Sequence, residues 1–436
     1  MIIRRLLPLV LAATLAACAQ PKVSDRPVAS QGNPSQTQND VWATRPTDPA
    51  APGAPVTDPN AAPILTQPLD QSASAVPGSS IPMPPPVVIS GGIKIALLAP
   101  LSGRNAAVGQ ALQQAGELAV FEIGTEGLVL LPIDTEKLGA AGAAQEAIRQ
   151  GASAILGPLF ATQVPEVATV AMPANVPVIT FSNDRAAAGP GVYVLGLSPL
   201  QALERVIGFA RTKGYTEFAA LVSDDPLGVR VGAMVQDYIP ASGGHLTKVD
   251  SYPASTTDFN SVARRASGGA AKEKTGPGYR ALVLSESGPK LKQLAPWMPY
   301  HNIDPAFVKV IGTSTWDDPS LASEPGLVGA WYAAPDPARR LSFEGKFRDT
   351  YGRAPPRVAT IGYDGVALLA VIARITNGPN FTPDQLTNPS GFAGIDGIFR
   401  FTPNGVSQRG LAVFEVQRGG GKMIEGAPAS FEAVVN

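Results

Sequence analysis

The sequence predicts an α/β chain of two doubly wound, Rossmann-like lobes with a cleft between them. Two observations point there. From Ile93 onward, short apolar runs alternate with stretches that carry apolar residues at helical spacing. The alternation comes in two series over about 345 residues, more than one ordinary domain holds. Strands and helices in this order build parallel sheets covered on both faces.

The first series opens with Ile93-Lys94-Ile95-Ala96-Leu97-Leu98-Ala99, apolar enough for a strand buried on both faces. After the loop Pro100-Leu101-Ser102-Gly103-Arg104, residues Val108, Leu112, Ala115, Leu118, Ala119 and Glu122 lay out a helix with one apolar face. Residues 128–133 read as a strand, 140–150 as a helix, 154–156 as a strand, 162–172 as a helix and 177–180 as a strand. The second series begins with a helix over 200–213 and a strand over 218–222. Asp224-Asp225-Pro226 then puts acid at a helix cap and proline just inside it. A strand near 246–252, a helix from Asp258 and strands over 281–284 and 308–311 follow. Asp317-Asp318-Pro319 offers another helix start. Residues 397–401, Asn404-Gly405 and 411–416 read as a hairpin with Asn-Gly in its loop. Ligands in such sheets lie beyond the carboxyl ends of the strands. The loops of interest are therefore 101–105, 159–162, 181–184, 223–227, 285–288 and 313–317.

The N-terminal part reads differently. Arg4 and Arg5 precede a short apolar stretch, 6–15, which ends at Leu15-Ala16-Ala17-Cys18. This is a signal peptide with a small-residue cleavage pattern, too short to span a membrane. The cysteine at its end resembles the lipobox of bacterial lipoproteins. That resemblance implies a mature chain beginning at a lipidated Cys18, held on the periplasmic face of a membrane. Ala19 stands where an Asp would signal inner-membrane retention, which points to the outer membrane. Cys18 is the only cysteine, so no disulfide staples the folded part. Residues 18–92 are rich in Pro, Ala and Ser and end near Pro84-Pro85-Pro86. Such a composition reads as a disordered tether, roughly 50 Å across as a coil and about 200 Å as polyproline II. The net charge of −1 excludes nucleic acid as a partner, because phosphate binding wants a basic face.

At the predicted loops the sequence resembles a known family. Ile95-Ala96-Leu97-Leu98-Ala99-Pro100-Leu101-Ser102-Gly103, Gly157-Pro158-Leu159, Val178-Ile179-Thr180-Phe181-Ser182-Asn183 and Asp225-Pro226-Leu227-Gly228 are similar to type I periplasmic binding proteins of the leucine-binding group. Gly312-Thr313-Ser314-Thr315-Trp316-Asp317-Asp318-Pro319 and Gly329-Ala330-Trp331-Tyr332-Ala333-Ala334-Pro335 resemble a narrower branch, the penicillin-binding protein activators. The resemblance covers 93–436 and implies the type I periplasmic binding protein fold with three crossovers. Lobe one is then about 93–198 plus 333–393, and lobe two about 199–332 plus 394–436. It also implies a lipid-anchored, non-catalytic activator of a bifunctional penicillin-binding protein that regulates peptidoglycan synthesis. The alternative is a solute-binding lipoprotein of an ABC importer for amino acids or other small polar ligands. The activators' N-terminal helical repeats have no counterpart in this sequence.

The ligand-cleft candidates are Ser102, Arg104, Thr162, Phe181, Ser182, Asn183, Asp225, Glu286, Ser314 and Trp316. Thr162, Ser182 and Asn183 suit a polar ligand, and Arg104 beside a helix start suits an anion. Asp225 and Asp317 read as helix caps ahead of ligand contacts. Leu227 replaces a tyrosine common in the family, and Ser285-Glu286 and Ser314 stand where an aromatic and an acid are often found. The cage for an amino-acid ammonium is thus dismantled, which argues against a free amino acid as ligand. Trp316, Trp331 and Tyr332 read as packing at the lobe interface or hinge, and an exposed Trp316 would suit a partner's hot spot.

No enzyme chemistry is expected. His245 and His301, read as loop or surface-helix residues, lack metal-ligand spacing, and no thiolate metal site is open to a chain with one cysteine. Ser287-Gly288-Pro289-Lys290 and Lys274-Thr275-Gly276 match two motifs of penicillin-binding enzymes, but in reversed order. No cofactor or metal is implied.

Overall fold

The computed structural model describes residues 92–268 and 277–431. Cys18, the tether up to residue 91 and Lys274-Thr275-Gly276 lie outside the described residues. All described residues belong to one unit, 82–436.

The first sheet is built from β1 (Ile93–Ala99), β2 (Leu128–Asp134), β3 (Ala154–Leu156), β4 (Val178–Thr180) and β5 (Val192–Val194). Their spatial order is β2-β1-β3-β4-β5, all parallel. Alternate residues of β1 serve opposite faces, as a pleated strand requires. Ile95 and Leu97 meet α1 (Ala106–Ile123), whereas Ala96 and Leu98 meet α2 (Thr135–Arg149) and α3 (Val164–Ala171). The helix expected from Ala140 is present; a further turn from Thr135, capped by Asp134, precedes it across a kink at Gly139, whose backbone is not helical (φ 69°, ψ 170°).

After β5 the chain leaves this core. α4 (Pro199–Thr212) packs on the second sheet through Ala202, Leu203, Val206, Ile207 and Phe209. That sheet holds β6 (Glu217–Ser223), β7 (His245–Tyr252), β8 (Ala281–Leu284), β9 (Lys309–Gly312) and β10 (Trp331–Ala334), parallel in the order β7-β6-β8-β9-β10. Helices α5 (Pro226–Ala241), α6 (Phe259–Ala266), α7 (Gly288–Leu294) and α8 (Trp297–Tyr300) belong to this lobe. The Asp317-Asp318-Pro319 helix start proves to be a short 3-10 turn, 319–323, capped by Asp318.

The chain then returns to the first core. α9 (Pro337–Tyr351) puts Phe343 and Phe347 against Ala111, Ala115 and Leu118 of α1. α10 (Ala359–Thr376) lies along α1 and is apolar and long enough by composition to cross a membrane, yet 67% of it is buried inside this lobe. A Cβ on Gly362 of α10 would lie 3.0 Å from Leu112 Cα, so a glycine lets the two backbones touch. α11 (Pro383–Leu386) leads into a small sheet of β11 (Phe392–Gly394), β12 (Gly397–Phe401) and β13 (Ser407–Arg409).

Two expectations are corrected here. The Asn404-Gly405 turn joins β12 to β13, not to 411–416, and the latter segment, β14 (Ala412–Gln417), pairs with β10 and with β15 (Gly420–Glu425). Phe399 and Phe401 sit in the first core. The last crossover therefore falls after Arg409 rather than near 393, because these aromatic residues have their apolar partners in lobe one. His245 opens β7 and pairs with Glu217, and His301 is buried against Asn260. His245 is thus a strand residue, whereas His301 lies in the turn after α8, as expected, though buried.

Candidate functional site

The loops that follow β1, β3 and β4 sit side by side on one lobe, because those strands are neighbours. Asp134 pins the first of them. Its Oδ1 accepts the backbone N–H of Leu101 and of Glu136, each at 3.0 Å. Burial opposes charge on Asp134, but hydrogen bonds from Ser102, Glu136 and Leu101 prevail and hold its carboxyl below the ordinary value. The third loop is folded on its own hydroxyls. Thr180 Oγ1 donates to Pro158 O at 2.7 Å and accepts from Ser182 N–H, and Ser182 Oγ accepts from Asp184 N–H at 3.0 Å.

The second lobe presents the loops after β6, β8 and β9. Asp225 Oδ1 accepts from the N–H of Leu227 at 2.9 Å and of Gly228 at 2.8 Å, capping α5, and its Oδ2 accepts from Ser223 at 2.7 Å. Behind it runs a buried brace. Tyr252 donates to Glu286 Oε1 at 2.6 Å, and Trp316 Nε1 donates to Glu286 O at 2.8 Å. Burial, with the neighbouring Glu286, pushes the Tyr252 phenol far up, so it stays a donor. The Trp316 ring lies flat on Gly312, where a Cβ would fall 2.5 Å from Cε3 and nearer still to Cδ2 and Cε2.

Ion pairs join the two lobes across these edges. Asp184 Oδ2 accepts from Arg230 of α5 at 2.7 Å. Its neighbour Arg185 grips Glu204 of α4 through two hydrogen bonds, 2.6 and 2.9 Å. Arg340 of α9 reaches Asp317, beyond β9, at 3.2 Å. Burial raises the Asp317 carboxyl above its ordinary value even though Arg340 and Arg357 oppose this. Near the crossovers, buried Arg409 donates to Leu195 O at 2.8 Å and lies 3.6 Å from Asp364, while Arg357 and Thr360 hold the buried Asp396. These contacts join the loops after β4 and β9 to helices of the opposite lobe.

The ten candidate residues separate by exposure. Arg104, Thr162 and Asn183 are open, Ser102, Asp225 and Ser314 are half-buried, and Phe181, Ser182, Glu286 and Trp316 are buried. Phe181 packs in the first core and Trp316 in the second. Trp316 is 1% exposed, so it offers no surface hot spot. Trp331 and Tyr332 pack within lobe two rather than at the hinge, Trp331 edge-on to Phe209 and Tyr332 stacked on Phe414. Leu227, in the position of the family's tyrosine, packs on the second core. Sequence reasoning missed Arg185, Glu204, Arg230 and Arg340. No local pattern marks them, because each partner is between 19 and 46 positions away.

A family model described as periplasmic binding protein matches residues 92–422. The fold is similar to that of a proposed branched-chain amino acid ABC transporter from Rhodospirillum rubrum, with TM-score 0.65 and 19% identity over 76% of this chain and 100% of that one. A leucine binding protein from Thermotoga maritima MSB8 gives TM-score 0.54 and 18% identity, over 77% of this chain and 98% of its own. An R. palustris ABC transporter solute binding protein, solved in complex with benzoate, gives TM-score 0.54 and 17% identity over 78% and 97%. An uncharacterized protein of Rickettsia prowazekii (strain Madrid E) is 22% identical over 215 residues, 49% of this chain and 58% of that relative, so the chain spans less than two thirds of its length. With a family model of binding proteins matched across both lobes, the chain belongs to the periplasmic binding protein family.

Proposed function

We propose that this chain is a solute-binding lipoprotein, anchored through Cys18 and holding a small polar ligand between its lobes for an ABC importer. The observation that carries this reading is that Arg104, Thr162 and Asn183 stand open on neighbouring loops at the carboxyl ends of one parallel sheet. A guanidinium, a hydroxyl and an amide together suit a small carboxylate. Several structural neighbours are described as parts of ABC transporters, one of them holding benzoate, which weighs toward this reading over the synthase activator. The test is calorimetric titration of the purified chain with small carboxylates, leucine and benzoate among them. Binding should weaken about two- to tenfold in Thr162→Ala and in Asn183→Ala, the worth of one hydrogen bond, without a change in melting temperature. Unchanged affinity in both variants would move the ligand out of this cleft.

The second reading is the non-catalytic activator of a bifunctional penicillin-binding protein. Its support is that cleft groups are engaged with each other: Glu286 with Tyr252, Asp184 with Arg230, Asp317 with Arg340. Crosslinking in growing cells separates the two. A synthase recovered without an ABC permease favours the activator, and a permease without a synthase favours the receptor. Lipid on Cys18 is tested by metabolic labelling with a fatty acid, which Cys18→Ser should abolish.

A further inference from the structure

We infer that the turn 184–187 is a two-pronged clip that latches the lobes together without help from a ligand. Its two leading residues carry opposite charges and engage different helices of lobe two. Asp184 takes Arg230 of α5 at 2.7 Å, and Arg185 takes Glu204 of α4 in a bidentate pair at 2.6 and 2.9 Å. The clip is stiff, because Asp184 Oδ1 accepts from Ala186 N–H at 3.1 Å while Oδ2 faces Arg230, and Ser182 Oγ holds Asp184 N–H. Asp184 follows Asn183 directly, and Arg230 lies three residues beyond Leu227, so the clip spans the place where a bound solute would otherwise bridge the lobes. This goes beyond the proposed function and holds for either occupant of the cleft.

The charges are partly exposed, between 24% and 44% by side chain, so salt screens them. Exposed pairs typically change an equilibrium by about 1.5- to 5-fold each, and a bidentate arginine lies at the upper end. Two pairs together should shift the closed-to-open ratio by on the order of tenfold.

Single-molecule energy transfer on the full chain tests this. Dyes are placed on cysteines introduced at exposed Glu166 and Gln236, with Cys18→Ser to free the labelling. Unfolding and refolding before measurement removes any carried-over solute. Ligand-free protein in low salt should be mainly closed, and its closed-to-open ratio should fall by up to about tenfold in 1 M NaCl (about 3 Å screening length). D184N/R185Q should show the closed-to-open ratio lowered about tenfold already in low salt and little further change in high salt, and the double swap Asp184→Arg with Arg230→Asp should recover part of the closure that Arg230→Asp alone loses. The inference fails if the refolded chain is already open in low salt, or if D184N/R185Q closes as the parent does. Solute titration of the same samples is a separate readout, so loss of the clip and loss of binding are distinguishable.

Discussion

Replacing Gly312 with Ala tests the floor of the second lobe. Gly312 is the last residue of β9 and has no left-handed φ, so an alanine there costs nothing in backbone conformation. The cost comes from Trp316. An added Cβ would lie 2.5 Å from Cε3 and closer to two other ring atoms, where carbon contacts settle near 3.5–4.0 Å. The ring must move by about 1 Å or more, and it has no empty side to move into at 1% exposure. Overpacking of this kind costs about 1–3 kcal/mol. Losing the bond from Trp316 Nε1 to Glu286 O adds about 1 kcal/mol. A total near 3 kcal/mol, set against an unfolding entropy of roughly 0.7 kcal/mol/K for about 340 residues, lowers the melting temperature by about 4 °C. Urea unfolding should show the same loss. The cycle with Trp316→Leu isolates the contact: Gly312→Ala should then be nearly neutral, a coupling above about 1 kcal/mol. Equal costs of Gly312→Ala in both backgrounds would refute the argument.

Other substitutions probe other joints of the fold. Gly362→Ala forces α10 away from the Leu112 backbone and should cost about 2–3 kcal/mol by urea unfolding. Asp225→Ala removes two N–H partners from the start of α5 and should cost about 1–2 kcal/mol. The Asp225 carboxyl is held low, since hydrogen bonds from Gly228, Ser223 and Leu227 outweigh its burial, so its contribution disappears as pH falls through the folded value. Asp364 has the opposite sign. Burial pushes its carboxyl up to about 6, with Arg409 opposing and Asp396 adding. The folded state thus holds this proton to higher pH than the unfolded chain does. Its stabilisation is complete below the unfolded value near 4 and is lost as pH rises to about 6. Urea midpoints between pH 4 and 7 should show that fall in the parent and a flatter profile in Asp364→Asn.

Much of the architecture was legible because both sheets are parallel and covered on two faces. Burial on both sides makes strands such as 93–99, 218–222 and 281–284 read as apolar runs, broken only at Lys94. Asp225-Pro226 was equally plain, because a cap is a local event. Short β5 and polar β15 were not, since three residues or an edge strand of Gly, Lys and Glu carry little pattern. α10 shows a weak face for a related reason: helices and sheets surround it, so few positions need be polar. The placement of β14 misled because Asn-Gly specifies a turn but not which following segment pairs across it.

Residue order alone determined the alternation of strand and helix, the loops at the strand ends and hence the wall on which Thr162 and Asn183 stand. Local propensity and burial periodicity act within a few positions, so a sequence displays them directly. Tertiary structure decided that Trp316 and Phe181 are packing rather than surface, that Glu286 is held by Tyr252, and that Asp184, Arg185 and Arg340 tie the lobes together. Those outcomes depend on which distant helix meets which loop. Charge attraction and close packing act through space, and the folded chain sets those distances.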